Sequence, residues 1–91
     1  MNVHVTRRAI LDALKDYGRA PVDVATVKQH LVGDEAREAA QEQLDMLIAL
    51  GYVENAYNAA NPRYRITGDG LRQLAQTARE LDVEIWGELA L

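Results

Sequence analysis

The apolar residues of this chain change period at one point, and that change does most to limit the fold. Through "DEAREAAQEQLDMLIAL" they recur every three or four residues, which places Ala36, Ala40, Leu44, Leu47 and Ile48 along one side of a helix. Gly51 is suited to end that helix. Beyond it, "YVENAY" and "RYRIT" flank "NAANP". Tyr64 and Ile66 alternate with Arg63 and Arg65, the period-two pattern of a half-buried strand. Asn61-Pro62 marks the hairpin loop between the two strands. A long amphipathic helix that runs at once into a short hairpin must share its apolar side with other elements, because neither piece buries enough alone.

Those other elements are legible upstream and downstream. "TRRAILDALKDYG" predicts a first helix, with Thr6 as its cap, Gly18 at its end, and Ile10, Leu11, Leu14 and Tyr17 as its apolar stripe. "RAPV" is an extended connector, since Pro21 disfavours helix in the residue before it. "DVATVKQHLVG" predicts a second helix, with Asp23 as cap and Val24, Val27 and Leu31 on one face. Asp34 is placed to cap the third helix, where Glu35 also suits the positive end of the helix dipole. Thr67 is placed to cap a last helix, "GDGLRQLAQTARELDV", with Leu71, Leu74, Ala78 and Leu81 as its stripe.

The expected order is therefore three helices, a two-stranded hairpin and a C-terminal helix. It is a mainly α chain with a small β-hairpin, the winged helix-turn-helix arrangement. Ninety-one residues make one domain over 1–91, with a core over about 6–82 and an apolar tail over 83–91. Ile85, Trp86, Leu89 and Leu91 in that tail are costly to leave in water together. They are expected to dock on the core, or to form a homodimer seam in which Ile85, Trp86 and Leu89 make the contact.

"LDMLIALGYVE" resembles the end of a recognition helix running into its wing. "YRITGDGLRQL" is similar to the return strand and following helix of bacterial regulators of the MarR, PadR and ArsR type, in which Tyr, an aliphatic residue, Thr and a later Gly recur. Tyr64, Ile66, Thr67 and Gly70 take those places. The resemblance implies double-stranded DNA as partner and transcription regulation as task. "RRAIL.AL", "LDML...GYVE", "RIT..G" and "DVEIWG" also resemble a small winged-helix protein of Mu-like transposable phages and prophages, which implies phage DNA or a phage assembly or packaging component as partner.

Charge argues in part against the first implication. The chain carries a net −4. Residues 32–51, which hold the expected recognition helix, have five acids and one base. Residues 1–31 are net +2 and residues 52–67 net +1. A DNA-binding domain usually shows a basic patch, and recognition helices usually point donors outward. This one points Glu38, Gln41, Glu42 and Asp45 outward, with Arg37 as its one base. Such a face is either an ordinary solvated surface, a seat for a basic protein partner, or a reader of cytosine N4 inside a basic surround. Arg63 and Arg65, two apart on one strand face, suit an anion. They also suit a simple pairing with Glu54 across the hairpin.

Catalysis finds no support. His4 and His30 stand without Cys and without metal-ligand spacing, His4 in the N-terminal end and His30 near the end of helix two, where a cation favours the dipole. No phosphate-cradling glycine loop or GxSxG elbow occurs, so neither enzyme activity nor a cofactor is expected. The absence of cysteine fits a reducing compartment. "MNVHVTRR" lacks the apolar stretch of a signal peptide, no run is long enough to span a membrane, and the cytoplasm is the expected location.

Overall fold

The computed structural model describes residues 3–56 and 60–76. Within them α1 (Val3–Asp16), α2 (Val24–Gln29) and α3 (Asp34–Ala49) are followed by β1 (Val53–Asn55) and β2 (Tyr64–Ile66). A further helix covers residues 68–76. This is the winged helix-turn-helix, in the order the period change implies.

The strands pair antiparallel, with Val53 opposite Ile66, Glu54 opposite Arg65 and Asn55 opposite Tyr64. The connector before α2 joins them. Val22 and Tyr64 exchange both backbone hydrogen bonds, at 2.9 and 2.7 Å. β2 is thus held on both sides, and the extended "RAPV" serves as a short third edge of the wing.

One core unites these pieces. Ile10 and Leu14 of α1, Val27 of α2, Leu44 and Leu47 of α3, and Val53 of β1 are all buried to the last few per cent. The predicted stripe of α3 is borne out at Ala40, Leu44 and Leu47, with Ala36 and Ile48 packed at its margin. In β2, Tyr64 and Ile66 point inward and Arg65 does not.

The junction between α3 and the wing is set by backbone geometry. Gly51 has φ +82°, its N–H donates to the Ile48 carbonyl (3.0 Å), and the Tyr52 N–H donates to the Leu47 carbonyl (2.9 Å). This paired closure needs a left-handed residue, which glycine adopts without a Cβ penalty. Thr67 then locks the far end of the hairpin to the same spot. Its N–H donates to the Tyr52 carbonyl (3.0 Å) and its hydroxyl to the Gly51 carbonyl (2.7 Å). The same hydroxyl oxygen accepts the Gly70 N–H (3.0 Å), so Thr67 caps the last helix as expected. Asp23 caps α2 by accepting the Thr26 N–H (2.9 Å) and the Thr26 hydroxyl (2.6 Å). These bonds, with help from the Arg63 charge, hold its carboxyl below the usual range.

Several expectations fail in detail. α1 begins three residues before Thr6, so Thr6 is not its cap but lies buried within it. Tyr17 leaves the stripe once the helix has ended and is more than a third exposed. α2 stops at Gln29, so Leu31 reaches the core from the following turn. Gly33, not Asp34, stands at the cap position of α3 and makes no side-chain cap bond. Leu74 is buried, but Leu71 is 44% exposed. Ala78 and Leu81 of the same stripe lie outside the described residues.

Candidate nucleic-acid interface

The outward side of α3 is as acidic in space as in sequence. Asp34, Glu35, Glu38, Glu42 and Asp45 are all exposed. Arg37, the one base of this helix, pairs with Asp34 one turn back (3.3 Å). Asp34 and Glu35 sit in the first turn, where the helix dipole favours negative charge. These two acids therefore stabilise the helix, whatever they meet in solution.

Gln41 is the residue whose role changes most. Its side-chain amide donates to the Tyr64 hydroxyl (2.9 Å) and to the Asp45 carboxylate (3.1 Å). The Tyr64 ring is buried in the core at 2% exposure, and its hydroxyl is the polar end that a buried tyrosine must satisfy. Gln41 is thus a tie between α3 and the wing as well as a surface residue. A second tie lies on the other side of α3, where Arg7 Nε of α1 donates to the Gln43 side-chain carbonyl (2.7 Å). Gln43 is only 6% exposed. Helical spacing places it on the inward stripe, three residues after Ala40 and four before Leu47, and only its polar side chain keeps it out of the apolar pattern.

The wing arginines are both engaged. Arg65 Nε and Nη2 meet one oxygen of Glu54, at 2.7 and 2.6 Å, and Nη1 reaches the Arg19 carbonyl at 3.4 Å. The pairing with Glu54 across the hairpin is therefore real. Arg63 donates its backbone N–H to the Asn55 side chain (3.3 Å), and its charge acts on Asp23 at the start of α2. The structure thus sets Arg63 and Arg65 beside acids at the base of the wing, and Glu38, Gln41, Glu42 and Asp45 along α3. Tyr64 stands between the two groups.

Neither histidine gathers ligands. His4 lies inside α1 rather than in a frayed end. His30 closes α2, its Nε2 is 2.8 Å from the Tyr17 hydroxyl, and the two rings meet edge to face. Among the described residues no group of three His, Cys, Asp or Glu side chains is placed to hold a metal ion. No helix among them is long and apolar enough to cross a membrane. Ile85, Trp86 and Leu89 lie outside the described residues.

No known family's sequence profile matches the chain, and no curated protein matches it. A solved structure does. An ArsR-like transcriptional regulator from Rhodococcus sp. RHA1 is 29% identical to this chain, with a TM-score of 0.51. The match covers 87% of this chain and 71% of that one. The fold is that of a winged helix-turn-helix regulator, and the structural neighbour is a transcriptional regulator, as the motifs around Gly51 and Thr67 imply.

Proposed function

We propose that this chain is a DNA-binding regulator that docks α3 and the wing on a duplex. The observation that carries the reading is the likeness to an ArsR-like transcriptional regulator over most of both chains. The charge layout limits how it binds. Arg37, Arg63 and Arg65 are cations near the docking surface, and each sits by an acid. The Arg65–Glu54 pair is partly exposed, and such pairs are worth about 0–1 kcal/mol. A phosphate can therefore displace Glu54 at little cost. The acidic strip of α3 opposes close approach to the backbone, so sequence-independent affinity is weak. Specific contact falls to Glu38, Glu42 and Asp45 as acceptors from cytosine N4, and to Gln41 once it leaves Tyr64.

A titration of a labelled mixed-sequence duplex by fluorescence anisotropy at low salt tests this. Three phosphate contacts give a log–log salt slope of about −3. Arg63→Ala with Arg65→Ala should reduce both affinity and slope. No binding at tens of micromolar protein would remove the non-specific part of the reading.

A second reading rests on the exposure of Glu38, Glu42 and Asp45. In it the fold is a non-catalytic interaction module whose acidic α3 face binds a basic protein, in the manner of a phage assembly or packaging accessory. A surface with that charge would give no anisotropy change with duplex and would bind polylysine in a salt-sensitive way.

A further inference from the structure

A cavity of about 180 Å³ opens between α1, the end of α3 and the helix over residues 68–76. Its floor is apolar, built from Leu11, Leu47, Leu50 and Tyr52. Leu50 is 48% exposed there. Arg7 and Arg8 stand on its rim, and no carboxylate among the described residues lines it. A cavity of about 150 Å³ with apolar walls holds one benzene molecule, so this one takes a hydrocarbon body of about six carbons.

The two arginines are held differently. The Arg8 side chain is exposed and makes no hydrogen bond or ion pair among the described residues. Asp12, one turn on in α1, lines the neighbouring hollow with Arg8 but does not pair with it. Arg7 is tied down: its Nε donates to the Gln43 side-chain carbonyl (2.7 Å). Gln43 is 6% exposed and shares the inward stripe of α3 with Ala40 and Leu47. A glutamine there carries a desolvation cost that an aliphatic residue would avoid. What it secures is the pose of Arg7. One bond at Nε fixes the plane of the guanidinium and leaves the Nη hydrogens of the fork for another acceptor. A buried partner that locks a rim cation in place is the support a binding site needs. Guanidinium forks above an apolar floor match a carboxylate carried on a small hydrocarbon.

We propose that this cavity binds a small apolar monocarboxylate, with its hydrocarbon on Leu47, Leu50 and Tyr52 and its carboxylate between Arg7 and Arg8. Gln43 is the positioning residue for Arg7. The proposal does not rest on the DNA-binding reading.

Hexanoate is the probe, followed by nitrogen–proton correlation NMR of the full chain. The backbone amides of Leu47, Leu50 and Tyr52 should shift together, with a dissociation constant on the order of 1 mM, as suits so small a ligand. Affinity should rise roughly fourfold per methylene from butanoate to hexanoate. Hexanol, which lacks the charge, and acetate, which lacks the body, should each bind at least about tenfold more weakly. Arg8→Gln, at an exposed position, should weaken hexanoate about five- to tenfold. Gln43→Leu should weaken it severalfold while the urea midpoint holds or rises, which a merely structural glutamine would not do. No shift at those three amides with tens of millimolar hexanoate would overturn the proposal. So would equal binding of hexanol and hexanoate, or a hexanoate affinity that Arg8→Gln leaves unchanged. Unchanged affinity in a folded Gln43→Leu chain would remove the positioning role.

Discussion

Gly68 and Gly70 differ by two places in one helix start, and the fold predicts opposite responses to the same methyl group. A Cβ built on Gly70 falls 2.1 Å from the Tyr52 carbonyl oxygen and 2.7 Å from Ile66 Cγ1. Real Cβ atoms essentially never come closer than 3.0 Å, so the helix and the strand entry must part by roughly 1 Å. The obstacle is backbone, and backbone cannot rotate away. The same Tyr52 carbonyl accepts the Thr67 N–H, so displacement also loosens the bond that closes the wing. Gly70→Ala should therefore cost about 1–3 kcal/mol or more, the range for overpacking a tight site. A Cβ on Gly68 meets only the flexible end of Arg72, at 4.0 Å. Gly68→Ala should stay within about 0.5 kcal/mol of the parent. Urea unfolding followed by circular dichroism separates the two. With a slope of about 1 kcal/mol per M for a chain this size, Gly70→Ala should lower the midpoint by about 1–3 M. Equal midpoints for the two variants, or a Gly70→Ala chain as stable as the parent, would refute the close approach of this helix to Tyr52.

Two further outcomes follow from single contacts. Tyr64→Phe keeps the buried ring and removes only the hydroxyl that Gln41 reaches, so it should cost about 0.5–1.5 kcal/mol in the same unfolding assay; a larger loss would mean that the ring itself has moved. Asp23 has a lowered folded pKa, chiefly through its bonds from Thr26, so its ionised form is the one the fold stabilises. Its contribution is present above the ordinary aspartate value of about 3.9 and is lost as pH falls through the lowered folded value. The stability gap between the parent chain and Asp23→Asn should thus be open near pH 6 and close in strong acid, and a gap independent of pH would contradict the cap geometry.

What the sequence revealed of the fold is what local periodicity can carry. The stripe Ala40, Leu44 and Leu47 and the alternation Tyr64, Arg65, Ile66 each state their own element and inward face. Gly51 and Thr67 mark ends, because only a few residue types satisfy the backbone there. The errors fall where a neighbour decides. Leu71 and Tyr17 are apolar or amphipathic at helical spacing, yet each stays more than a third exposed. Gln43 shares the inward stripe of Ala40 and Leu47 but is polar, and Arg7 crosses from α1 to satisfy its side-chain carbonyl. Thr6 reads as a cap only if the helix starts after it, and α1 starts earlier.

The candidate interface was half legible for the same reason. Its charges can be counted along the chain, and Glu54 can be named as a partner for Arg65 because the hairpin brings it opposite. The tie from Gln41 to Tyr64 spans 23 positions and joins elements of different period. No local pattern encodes it. It does have a signature once the fold is granted: a tyrosine buried in a core must send its hydroxyl to a partner, and the outward side of α3 is the nearest polar surface. The tie also changes what the acidic face means. A glutamine held by the wing on one side and by Asp45 on the other is not a loose donor waiting for a base. For α3 to read DNA with Gln41, the amide must leave Tyr64, and the wing then loses this side-chain link to the helix. Reading by Gln41 and a fixed wing are therefore competing states of one surface. The acids beside Gln41 favour the fixed one, because they repel the phosphates whose contacts would have to drive the exchange.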